Sequence, residues 1–135
     1  MPQFKSVLYL DDMRVPLIQG IDVVKNYDEF VAYLLTHPMP DLISFDHDLA
    51  FEHYPRGDNK AGDHIPYESY VEKTGLECAR WLIERSLPIK AWNVHSYNVQ
   101  GRINIATELR RYAPQGEAFG LDIPYRIEER QFVSK

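Results

Sequence analysis

The sequence predicts an α/β fold in which helices pack on an open, parallel sheet. Three observations lead there. Short apolar runs without helical periodicity alternate with longer amphipathic stretches. Consecutive strands separated by helices must be joined by crossovers, which makes the sheet parallel. No internal repeat, low-complexity run or Ser/Gly linker divides the 135 residues, so residues 1–135 read as a single domain.

"SVLYL" (Ser6 to Leu10) is an apolar run ending at Asp11, as expected of a strand buried on both faces. "MRVPLIQG" is too short, and too broken by Pro16 and Gly20, for a full helix. "IDVVKNY" is expected to be an edge strand. Asp28 can cap a helix through about His37, with Phe30, Val31, Leu34 and Leu35 on its apolar face and Pro38 and Pro40 stopping it. "DLISF" is the third strand. Residues 50–73 carry His, Tyr, Pro, Gly and Asp without periodicity and read as a long loop, of the kind that is usually a lid, a binding loop or a disordered segment. Thr74 and Glu77 form a capping box before "GLECARWLIERSL", which Pro88 terminates. "IKAWNVHS" is the fourth strand, "NVQGRINIATELRRYA" a helix, and the tail "AFGLDIPYRIEERQFVS" holds one or two further strands.

A chain of this length buries roughly two-thirds of the surface its unfolded form exposes, enough for a core without staples. The lone Cys78 has no partner for an internal disulfide and lies in the apolar stripe of a helix, where it reads as core. With no basic, then apolar, leader, the expected location is the cytoplasm. No apolar run approaches the ~20 residues of a membrane span. The net charge of −5 argues against broad duplex nucleic-acid binding. It leaves room for a bound cation, or for a phosphate-containing small molecule or RNA end gripped by a few arginines.

In an open parallel sheet, ligands bind beyond the carboxyl ends of the strands. Three strands end there in reactive groups: Asp11 and Asp12; Asp46, His47 and Asp48; His95, Ser96 and Asn98. Taken singly, each has a plainer reading as a turn, a cap or a hydrogen-bonded pair. Their coincidence at one sheet edge is what points to a site. Two carboxylates about 5 Å apart repel by roughly 3 kcal/mol at an effective dielectric near 20, so four cannot gather as bare anions. Either some stay protonated or a divalent cation sits among them. Oxygen ligands from Asp11, Asp12, Asp46 and Asp48 favour Mg²⁺ or Mn²⁺, and an added histidine shifts the preference toward Mn²⁺ or Zn²⁺.

The helix after "VHSYN" presents free N–H groups at its first turn, an anion seat. Ser96 and Asn98 can donate to phosphate oxygens there, Gly101 permits close approach, and Arg102 and Arg14 are candidate clamps. No P-loop, dinucleotide fingerprint, paired His-x-Ser/Thr motif or cysteine zinc framework is present.

"YLDDMR", "DLISFDHDL", "TGLECARWLI" and "VHSYNVQGRINI", in this order, resemble the cyclic-phosphate-processing receiver family, a branch of the response-regulator receiver fold. The resemblance runs to about Leu109 and leaves out residues 50–73 and the tail. It implies a doubly wound, flavodoxin-type sheet of strand order 2-1-3-4-5 with an insertion after strand 3. It also implies that Asp11 and Asp12 match a metal-binding acidic pair, that Asp46 matches a phosphoacceptor, and that Ser96 holds a hydroxyl position. Two departures stand out. No lysine follows a fifth strand, since the tail offers Arg126 and Arg130 and only the terminal Lys135. His47, Asp48 and His95 are additions to the signalling receivers' pattern.

Both departures favour hydrolysis over signalling. The expected activity is therefore metal-dependent hydrolysis of a cyclic phosphate, either a 2′,3′-cyclic RNA end or a cyclic nucleotide. Asp11, Asp12, Asp46 and Asp48 are the expected ligands, with Asp46 alternatively a nucleophile. His47 and His95 are the expected general base and acid, and Tyr54, Arg56, His64, Tyr67 and Tyr70 a candidate lid. The alternatives are a receiver-like adaptor with Asp46 as phosphoacceptor, and a module that binds nucleotides or RNA ends without turnover.

Overall fold

The computed structural model describes residues 4–53 and 65–128. Strand β1 is Val7–Leu10, β2 Arg14–Pro16 and β3 Ile21–Val24; helix α1 is Tyr27–Thr36, followed by β4 at Leu42–Phe45. Helix α2 is Gly75–Glu84, β5 Ala91–Val94, α3 Val99–Tyr112 and β6 Tyr125–Ile127. Four strands form a parallel sheet in the order β3-β1-β4-β5, which is the expected 2-1-3-4 arrangement. The fifth position is held by an isolated parallel bridge, Trp92 to Glu117. The tail's strand β6 pairs elsewhere, antiparallel to β2.

The register places the site. Val7 lies opposite both Ile21 and Leu42, and Leu42 opposite Ala91, so all four strands end level. The ladder then runs one residue past them. Asp11 N donates to Val24 O, Asp46 N to Leu10 O and His95 N to Phe45 O, at 2.9–3.0 Å. Asp11, Asp46 and His95 are thereby fixed as one row along the carboxyl edge.

Alternation divides the sheet's two faces. Leu8, Leu10, Ile43, Phe45 and Trp92 join a core with Phe30 and Leu34 of α1, Leu76, Cys78, Ala79 and Leu82 of α2, and Ile105 and Leu109 of α3. Fully burying each large apolar side chain contributes roughly 1.5–3 kcal/mol. All three helices cover that one face. On the other, Val7, Tyr9 and Leu42 are covered by Ile123, helped by Ile18, Ala118 and Leu121, with no helical residue in the cluster. Where a doubly wound sheet carries a second helical layer, this chain lays Ile18 and the segment from Ala118 to Ile123.

The caps follow the sequence closely. Thr74 and Glu77 form the expected capping box. The α1 cap is Asn26, which accepts from Glu29 N, so Asp28 falls inside the first turn, where its charge favours the helix dipole. Leu35 of the expected apolar face is exposed. Of the candidate lid, Tyr54, Arg56 and His64 lie outside the described residues, as do Arg130 and Lys135. No helix among the described residues is long and apolar enough to cross a membrane.

Candidate functional site

Asp11, Asp46 and His95 each turn a ligand atom to a common point, all within 4.8 Å of one another. Both carboxylates are buried. Asp11 Oδ1 accepts from the backbone N–H groups of Met13 and Arg14, and its Oδ2 takes His95 Nε2 at 2.9 Å and Arg14 Nη1 at 2.8 Å. Burial alone would push the Asp11 pKa up, but the bonds from His95, Arg14 and Met13 outweigh it and hold the group below the ordinary carboxylate range. Asp46 goes the other way. Burial, then the charge of Asp11, raises its pKa well above the usual range against the pull of Arg14. The two carboxyl groups are therefore driven apart in acidity, Asp11 downward and Asp46 upward.

His95 lies flat on Tyr9, with ring centroids 4.3 Å apart. Its Nδ1 is 2.7 Å from Ser44 Oγ. Burial lowers its pKa despite the bond to Asp11, so the ring is neutral, donates from Nε2 to Asp11 and accepts the Ser44 hydroxyl hydrogen at Nδ1.

A divalent cation fits this row on two observations. Asp46 Oδ2 is buried without a hydrogen-bond partner among the described residues. His95 can shift its hydrogen to Nδ1, where Ser44 accepts it and leaves Nε2 free as a ligand. The donor set of two carboxylates and one imidazole suits Mn²⁺ better than Mg²⁺. Arg14 competes for the same space. Its guanidinium stands 3.6 Å from Asp46 Oδ2 and lies against the rings of Tyr97 and Tyr125, 4.8 and 5.2 Å from their centroids. The two phenol oxygens meet at 3.1 Å over it.

The other expected ligands do not join the row. Asp12 lies outside the three-residue group. Asp48 Oδ1 is 2.7 Å from His47 Nδ1 and accepts from Asn98 Nδ2 at 3.0 Å. His47 is fully buried, and its Nε2 lies 2.8 Å from Tyr67 OH, a hydroxyl that accepts from Asn104 Nδ2. With both ring nitrogens engaged inside the protein, His47 is not placed to exchange a proton with a ligand, contrary to expectation. Its backbone serves the site instead, donating to Asp46 Oδ1 at 2.8 Å. The physical reason is the strand's alternation: neighbouring side chains leave a strand end on opposite sides.

Asn98 is likewise engaged. Its Oδ1 accepts from Gly101 N as the α3 cap, and Gly101 closes on His47 rather than on a ligand: a Cβ there would collide with the His47 ring. Ser96 Oγ accepts from Asn98 N. Arg102 donates to Ser96 O at 3.3 Å. Ser96 and Arg102 both line a cavity of about 210 Å³ that also includes His95, Tyr97 and Tyr125. The sequence reading missed Ser44, Tyr97 and Tyr125. The one available signal was Ser44, a hydroxyl interrupting the apolar run "LISF".

A parallel sheet whose carboxyl edge gathers an acidic pair, with a buried aspartate at the end of its central strand, defines a receiver-like domain. A family model described as the cyclic-phosphate processing receiver domain matches residues 6–111, and the chain belongs to that family. Comparison with curated proteins and with solved structures found no match.

Proposed function

We propose that this domain hydrolyses a cyclic phosphate ester at the Asp11–Asp46–His95 row. The observation that carries the reading is Asp46 Oδ2, buried without a hydrogen bond among the described residues and 3.6 Å from Arg14, in a row whose three residues bring ligand atoms within 4.8 Å of one another. A divalent cation held by these three residues would polarise a phosphoryl oxygen and lower the pKa of its bound water. Arg14 leaves Asp46 and turns its two-pronged donor set to the phosphate oxygens, the task for which a guanidinium is suited. Arg102 supplies a second positive charge from the far rim. The family membership supports cyclic phosphate over other phosphorylated ligands.

A second reading draws on Arg14 itself. A fixed cation already paired with Asp11 can serve a receiver-like adaptor, in which Asp46 accepts a phosphoryl group or the closed row docks a partner. One experiment separates the two. A panel of cyclic and linear phosphate esters is incubated with added Mn²⁺ or Mg²⁺ and with EDTA, beside a small phosphodonor. Chelator-sensitive ring opening supports hydrolysis. Stable labelling of Asp46 with no turnover of any ester refutes it in favour of the adaptor.

A further inference from the structure

The cavity beside His95 lies on the helix-free face of the sheet. Its floor is a polar row across three strands: Tyr9 is the register partner of Ser44, and Ser44 of Asn93. Its rim carries Tyr97, Tyr125 and Arg102. Asn93 Oδ1 is buried and has no hydrogen-bond partner among the described residues, an uncommon state for an amide.

We propose that this cavity receives the heterocyclic base of a nucleotide whose phosphate lies at the Asp46 row; the inference rests on the phosphate-ester reading above. Four features select that ligand class. The volume of about 210 Å³ is below the ~300–1,000 Å³ of drug-sized sites, so the cavity takes about one ring system rather than a stretch of nucleic acid. Tyr97, exposed at the rim with Arg14 against its ring, offers aromatic surface on which a planar base stacks, which a sugar phosphate leaves unused. Asn93 lines the cavity, and its amide carries a donor and an acceptor side by side, the pattern that matches the edge of adenine. His95 forms a shared wall, lining the cavity while bonding Asp11, so a ligand that fills the cavity has its phosphate end directed to the acidic row.

The test is equilibrium binding by calorimetry, with and without Mn²⁺, of two unreactive probes: adenosine 3′-monophosphate and the base-free 1-O-methylribose 3-phosphate. The nucleotide should bind about tenfold tighter or better, as expected for one stacked base. Tyr97 is 71% exposed, so Tyr97→Ala does not put folding at stake; it should bring the two affinities within about threefold. Asn93→Leu should do the same through loss of the amide. Equal affinities for the two probes in the native chain overturn the base site while leaving the phosphate site standing. Failure to bind either probe overturns both.

Discussion

The guanidinium of Arg14 donates to Asp11 Oδ2 at 2.8 Å, and this contact sets a fixed positive charge at the mouth of a buried acidic row. Burial by itself would lower the Arg14 pKa, but the bonds to Asp11 and Tyr125 raise it above its ordinary value, so the charge is permanent. A divalent cation has to displace it. Arg14→Met, which keeps the unbranched stem, should therefore tighten Mn²⁺ binding by about tenfold and weaken phosphate binding by a similar factor. Calorimetry with each ion reads the two effects separately. Unchanged Mn²⁺ affinity would detach the acidic row from metal binding.

Asp46 is a stability cost as it stands. Its folded pKa is raised, chiefly by burial and then by Asp11, so the folded state holds a proton that the unfolded state releases. Stability from this group is accordingly lost as pH rises from the unfolded value toward the folded one. Asp46→Asn should add about 1–3 kcal/mol near pH 7 while removing the carboxylate proposed as ligand or nucleophile. Urea unfolding of the two proteins measures the gain. A destabilised Asn variant would mean that the carboxylate is ionised and paired.

His53 should make the fold acid-sensitive. Its Nδ1 accepts from Leu49 N and its Nε2 donates to Glu72 O, which ties the start of the loop to its return. Burial lowers its pKa, ahead of the opposing influence of the Glu72 carbonyl, Asp48 and Glu52, while His47 pushes the same way as burial. A depressed imidazole pKa means that the unfolded state takes up a proton first, so stability falls as pH drops below the ordinary value of about 6.5. In an Asp46→Asn background, which removes the contrary slope, the loss from this group should show directly, with a slope of at most about 1.4 kcal/mol per pH unit. Unfolding curves from about pH 7 to about pH 5 test it, with His53→Gln as the variant that should flatten the slope.

Gly101 packs against the ring of His47 with no room for a methyl group. Because Asp48 and Tyr67 lock that ring, Gly101→Ala should cost about 1–3 kcal/mol. The double variant with His47→Ala should show a much smaller increment for the same change. Equal increments in both backgrounds would show that the clash is relieved elsewhere.

The strands and their order were legible because apolar runs of strand length leave few alternatives once helices separate them. So were Asp11, Asp46 and His95, each the first residue after a strand that ends level with its neighbours. What "DHD" concealed was direction. Asp46 faces the row, whereas His47 turns into the α3 packing and Asp48 braces it. Asn98 and Gly101 carried signals of an anion seat but act as helix cap and close-packing contact. Tyr125 and the β2–β6 pairing were illegible because a three-residue strand in an aperiodic tail has no pattern of its own.

The bare side of the sheet has a consequence for biosynthesis. The surface bearing Val7, Tyr9 and Leu42 waits for Ala118, Leu121 and Ile123, which emerge from the ribosome only after every strand and helix beneath them. A chain truncated after Tyr112 thus leaves part of that apolar sheet surface uncovered, the kind of surface that chaperones engage and that aggregates when they do not.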